Sequence, residues 1–173
     1  CDVVLSKEYK GKSVPLRGRQ CSSQQMPFIA DKFPTFKEFA NADLNQILGE
    51  DKLKQSLNLE VTGFESIILI NDGNGHFEAK PLPVHAQLAP INGIVVDDFD
   101  KDGNTDILIA GNMYHTEVET ARYDAGKGLV LKGNGKGDFT PMTIAQSGFY
   151  APADVKDVKI LQQANGKKLV LVA

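Results

Sequence analysis

The densest chemistry in the chain lies in one stretch: Asp98-Phe99-Asp100-Lys101-Asp102-Gly103-Asn104-Thr105-Asp106. Carboxylates fill its first, third, fifth and ninth positions, and glycine fills the sixth. On a tightly curled loop alternate side chains point inward, so this spacing gathers acids around one point. A calcium ion takes six to eight oxygens at roughly 2.3–2.6 Å, and carboxylates supply them. Asn104, at the seventh position, is placed to add its backbone carbonyl, and Gly103 tolerates the positive φ of a sharp turn. Without a cation, carboxylates held this close repel one another. The expectation is one Ca²⁺ held by the side chains of Asp98, Asp100, Asp102 and Asp106 and the carbonyl of Asn104. The bland alternative is a solvated acidic turn. Magnesium fits less well, because it keeps its waters and seldom uses an all-protein cage.

Two further observations fix the type of loop. An EF-hand needs a bidentate Glu at position twelve and helices on both sides. Position twelve from Asp98 is Ile109, and the flanks Ile94-Val95-Val96 and Ile107-Leu108-Ile109 favour strands. A β–loop–β calcium site is therefore expected. A second polar cluster, Glu117, Glu119, Arg122 and Asp124, reads as a recognition loop or as extra oxygens near the ion. Its plainer reading is a solvated insertion with weak local salt bridges. Hydrolase chemistry finds no support: Ser22 and Ser23 lack a nucleophile-elbow setting, and His76, His85 and His115 follow no base-like spacing. The turn at 71–75 lacks the Lys-Ser/Thr of a phosphate loop.

The elements that must position the acidic loop are short strands. From about residue 60 onward, apolar runs at 66–70, 93–96, 107–110, 129–131, 155–160 and 169–172 alternate with Gly, Asn and Asp clusters. This region repeats weakly. Ile68-Leu69-Ile70 followed by Gly, Asn and Phe77 matches Leu129-Val130-Leu131 followed by Gly, Asn and Phe139, 62 residues later. Ile107-Leu108-Ile109-Ala110 matches Leu169-Val170-Leu171-Val172 at the same offset of 62. Blades of about 40–50 residues are usual, so each unit reads as a blade with an insertion, placed at 115–124. The second repeat should offer its loop near Asp157, where the acids are missing, so no second metal is expected.

Upstream, residues 3–9 and 13–17 read as paired strands and 18–25 as a loop. Thr35 with Glu38 forms a capping box, Phe33, Phe36 and Phe39 form an apolar stripe, and Asn41 starts a second helix that Gly49 stops. Residues 34–57 are thus a helical insertion.

Bulk properties bound the function. The 173 residues carry a net charge of −3, with Lys and Arg scattered among acids, so nothing marks a nucleic-acid surface. No apolar run reaches the roughly 18 residues of a membrane helix. Cys1 at the first position allows a lipid anchor, although a chain boundary explains it more simply. Cys1 and Cys21 could pair, but two cysteines do not fix the redox compartment.

The D-F-D-K-D-G-N-T-D core with its following I-L-I-A-G resembles the FG-GAP or VCBS repeat of integrin-α-like β-propellers, as do the segments ending Gly-Asn-Gly-His-Phe and Gly-Lys-Gly-Asp-Phe. Residues 17–24 and 117–126 are similar to bacterial proteins of the ASPIC/UnbV-associated group. The resemblance spans most of the chain. It implies a mainly β fold of propeller-like blades, about two repeats over 60–173 in an incomplete ring. Residues 1–33 would be strands and loop, 34–57 the insertion, and 1–173 one domain or a propeller fragment. The function it implies is a calcium-stabilised, non-catalytic module that binds protein or glycan at the cell surface or elsewhere outside the cytoplasm. Weak extracellular calcium modules, with dissociation constants of roughly 10⁻⁴–10⁻³ M, agree with that location. The alternatives are a piece of a polysaccharide-active enzyme and a structural spacer.

Overall fold

The computed structural model of the chain describes residues 3–118 and 120–173. Strand residues make up 28% and helical residues 21%, so the fold is mainly β, built from small antiparallel sheets. The described residues form no closed barrel or ring. The chain divides into two compact units, Cys1–Val61 and Thr62–Ala173.

In the first unit, strands β1 (Ser6–Tyr9) and β2 (Lys12–Pro15) form a hairpin. Five short helices follow: α1 (Arg19–Gln25), α2 (Phe28–Lys32), α3 (Phe36–Ala40), α4 (Leu44–Leu48) and α5 (Glu50–Gln55). The helical region therefore starts earlier than residue 34. The polar run 18–25, expected as a loop, is helix α1, because Ser22 and Met26 turn inward and tertiary packing outweighs weak propensity. The Thr35–Glu38 capping box is present. Asn41, expected to start a helix, instead ends α3, and Asp43 caps α4 through its own box with Gln46. Met26, Ile29, Phe39, Ala42 and Ile47 make the core, with Phe33 edge-on to Phe39 at 5.8 Å. Phe36 leaves the expected stripe: it is exposed, with the Arg19 guanidinium over its ring at 5.4 Å. Residues spaced by three rotate about 60° backward around a helix at each step, and Phe33 precedes α3 altogether.

In the second unit, β3 (Ile67–Asn71) and β4 (Phe77–Pro81) form a hairpin, followed by a 3₁₀ turn at Val84–Gln87. Strands β5 (Gly93–Asp97), β6 (Asp106–Ala110), β7 (Leu129–Gly133) and β8 (Phe139–Pro141) form a four-stranded antiparallel meander. A short helix α6 (Ile144–Ser147) leads to the hairpin of β9 (Val158–Gln162) and β10 (Lys168–Val172). Hairpin, helical turn and hairpin thus occur twice, in line with the weak sequence repeat. The frame differs from the sequence unit, however: the four-stranded sheet takes β5 and β6 from the first repeat and β7 and β8 from the second.

The central strand β6 of that sheet is buried on both faces, as its near-continuous apolar run demands. Ile107, Ile109 and Leu131 face one way and pack with Ile68 of β3 and with Leu82 and Ile91. Leu108, Ala110 and Val130 face the other way and pack with Val158 of β9 and with Ala151 and Val155. Gly93 is needed at this second face, since a Cβ there would lie 2.6 Å from the backbone nitrogen of Val158. The fully buried Asn112 ties the connection after β6 to the chain before β9. Its side-chain amide donates to the carbonyls of Gly126, Pro152 and Ala153 at 2.9–3.2 Å, and its oxygen accepts from the Gly126 N–H at 2.9 Å.

Candidate metal centre

The acidic loop spans residues 98–105, between β5 and β6, with Asp106 as the first residue of β6. Strands flank it on both sides, as the sequence predicts. Lys101 and Gly103 take positive φ (63° and 87°), so the chain reverses within a few residues. The curl is stitched by side-chain acceptors. Asp98 Oδ1 and Asp100 Oδ1 both accept from the Asp102 N–H at 3.1 Å. Asp98 Oδ2 accepts from Gly103 N–H at 3.0 Å, and Asp102 Oδ1 from Asn104 N–H at 2.9 Å. Similar Asx turns hold the turns at Asn71, Asn134 and Asn165, so this stitching belongs to the hairpins generally.

Asp106 differs from its neighbours. It is 1% exposed. Its Oδ1 accepts from the N–H of Gly133 on β7 at 2.9 Å, and its Oδ2 from the N–H of Phe99 at 3.0 Å. One carboxylate thereby pins the loop to its own start and to the neighbouring strand. Gly133 has to be glycine, because a Cβ there would run into the Thr105 carbonyl.

Asp98, Asp100 and Asp106 converge: one carboxylate oxygen from each lies within 4.8 Å of the others. Oxygens on opposite sides of a calcium ion at roughly 2.3–2.6 Å stand about 5 Å apart, so this spacing fits a divalent cation. Each oxygen retains a lone pair beyond the hydrogen bond it accepts. Asp102 stands outside the convergence. Its Oδ2 meets the ammonium of Lys132 at 3.0 Å, and the same ammonium is ion-paired with Asp100 Oδ2. Lys132 holds the Asp102 carboxyl below the usual range, and the two carboxylates in turn raise the Lys132 pKa. Asn104 contributes its N–H to Asp102, and its side chain lies against Gly135.

Lys132 was not legible in the sequence. It follows an apolar run in β7, and only the β6–β7 pairing, which crosses the insertion, brings it beside the loop. It supplies a positive charge where the sequence predicted unrelieved repulsion.

The cluster of Glu117, Arg122 and Asp124 lies in the connection 111–128, which leaves the end of β6 away from the acidic loop. It brings no oxygens to the triad. Arg122 pairs with Asp124 at 2.9 Å and lies over the Tyr114 ring at 4.0 Å, while Tyr114 donates to the Pro152 carbonyl at 2.9 Å. Glu119 lies outside the described residues, as does Cys1, for which the sequence left a lipid anchor and pairing with the half-buried Cys21 open. The turn matching the acidic loop in the second repeat is 163–167, between β9 and β10, and not the region of Asp157. It has five residues where the first has eight, and none is acidic.

A cleft of about 410 Å³ opens at the same end of β6 as the 111–128 connection, lined by His85, Ile91, Ile109, Lys127, Leu129 and Ile144 among others. None of its described lining residues is acidic. No helix of the described residues is long and apolar enough to cross a membrane. Comparison of the chain with protein-family models, with curated proteins and with solved structures finds no match.

Proposed function

We propose that the unit 62–173 is a calcium-stabilised, non-catalytic repeat module of the FG-GAP/VCBS type, working outside the cytoplasm as a binding module for protein or glycan. The observation that carries this reading is the convergence of Asp98, Asp100 and Asp106 in a loop flanked by strands. In it, these three carboxylates hold Ca²⁺, with Asp102 and the Asn104 carbonyl completing the shell once Lys132 moves aside. The ion's role is structural. It fixes a loop whose Asp100 and Asp102 otherwise pair with Lys132.

The propeller-like architecture is part of the same reading. A four-stranded antiparallel meander is the make-up of a propeller blade, and two-stranded hairpins lie on both of its faces. A binding role is favoured over an enzymatic one because the cleft near the 111–128 connection is apolar and lacks paired acids.

The test is thermal unfolding of the chain in EDTA and in calcium. With a dissociation constant of roughly 10⁻⁴–10⁻³ M, ~10 mM Ca²⁺ stabilises by about 1.4–2.7 kcal/mol. That is a rise of several degrees in Tm for a domain of this size. Equal concentrations of Mg²⁺ should give less. An unchanged Tm in calcium removes the metal and the reading built on it.

A further inference from the structure

Strands β6 and β10 occupy the same place in successive repeats, yet their surroundings are opposite. Asp106–Ala110 is buried along its whole length, whereas Lys168–Val172 is exposed along its whole length. The apolar run Leu169-Val170-Leu171-Val172 has the composition of a central strand covered on both faces. Among the described residues β10 pairs only with β9, so its outer edge is free. The converse holds for β3. It matches β7, which pairs with β6 on one side and β8 on the other, but among the described residues β3 pairs with β4 alone. Its residues Ile67 and Leu69 are exposed. A long, exposed, apolar edge strand is a template for pairing with another chain.

The two free edges are complementary, and the molecule itself provides the template. The β6–β7 ladder sets Ile107 opposite Leu131, Leu108 opposite Val130 and Ile109 opposite Leu129. Moving each strand by the 62-residue repeat converts this into Leu169 opposite Leu69, Val170 opposite Ile68 and Leu171 opposite Ile67. In that register Lys168 falls opposite Ile70 and Lys167 opposite Asn71, so no like charges face each other; the Lys168 ammonium pairs with Asp97 of its own chain. The edges cannot meet within one molecule, because β3 and β9–β10 lie on opposite faces of the four-stranded sheet.

We propose that the occupant of the β10 edge is β3 of a second copy of this chain, paired antiparallel to give a four-stranded sheet ordered β9–β10–β3–β4 across the two molecules. Such a contact is head-to-tail, so it repeats into a ring if the rotation closes and into a filament if it does not.

Sedimentation of the full chain over a range of concentrations tests this. Association that grows with concentration is expected, and Leu171→Lys or Leu69→Lys alone should weaken it by about tenfold or more, since either buries a charge in the new sheet. Both side chains are exposed in the single molecule, so at a dilution where the chain is monomeric Tm should hold. A cross-link provides a second readout that does not depend on those variants. In a background with Cys1→Ser and Cys21→Ser, one preparation carries Leu69→Cys and another Leu169→Cys. Directly opposed residues lie about 4.5–5.5 Å apart at Cα, within reach of a disulfide. Mild oxidation of the mixture should give a covalent dimer in excess of either preparation alone. A chain that stays monomeric overturns the proposal. So does association that ignores both lysine variants and yields no excess dimer, which would place the contact elsewhere.

Discussion

Replacing Asp106 by Asn separates the two tasks this carboxylate performs. The side chain is buried, and each oxygen accepts from a backbone N–H, one on Phe99 and one on Gly133. An asparagine keeps one acceptor and turns an NH₂ toward the other donor, leaving that donor without a partner. Hydrogen bonds to a charged acceptor contribute roughly 1.5–3 kcal/mol each, and a stranded buried donor adds its own desolvation cost. The expected loss for Asp106→Asn is therefore about 2–3 kcal/mol, and for Asp106→Ala, which loses both acceptors, about 3–6 kcal/mol. Against a domain stability of about 5–15 kcal/mol the larger figure approaches unfolding. The assay is guanidinium or urea unfolding in EDTA, so that no metal contributes. Asp98→Asn is the control: its two partners, the N–H groups of Asp102 and Gly103, belong to exposed residues. It should cost about 1 kcal/mol or less in EDTA. If Asp106→Asn and Asp98→Asn agree within about 0.5 kcal/mol, the scatter of ordinary surface substitutions, then Asp106 does not pin the loop and the reasoning fails.

Two other perturbations reach different parts of the unit. Lys132→Met removes the ammonium that sits against Asp100 and Asp102, and calorimetric titration should show calcium affinity rising by about tenfold, the size of a water-screened repulsion between an ammonium and a divalent ion about 5 Å away; unchanged or weaker binding would mean that Lys132 and the ion do not compete. Asn112→Ala strips four hydrogen bonds from the buried junction between the 111–128 connection and the segment before β9, and a drop of about 2–4 kcal/mol in unfolding free energy is expected, with amide exchange accelerating first around Gly126 and Ala153. Protection that is unaltered at both sites would show that the junction holds without it.

Local chemistry was legible in the chain itself. The Asp–x–Asp–x–Asp–Gly spacing announces a tight acidic loop because side-chain direction and glycine's conformational range depend only on neighbouring residues. The apolar runs on either side identify strands, and the box of Thr35 and Glu38 identifies a helix start, for the same reason. The 62-residue offset likewise foretold that β6 and β10 would be equivalent strands. Contacts between distant segments were not legible. Lys132 reaches Asp100 and Asp102 only because β7 returns beside β6 after the insertion, and nothing in the sequence fixes that return. Asn112 looks like an ordinary loop residue until three carbonyls from two other segments close around it. The helix at 19–25 escaped because its polar residues hide a small inward face. Local sequence, then, determined the curl of the acidic loop and the strands beside it, since short-range sterics and hydrogen bonding suffice for both. Which three aspartates converge, which lysine pairs with Asp100 and Asp102 and which faces are buried were decided by packing, because those energies exist only once segments far apart in the chain are brought together.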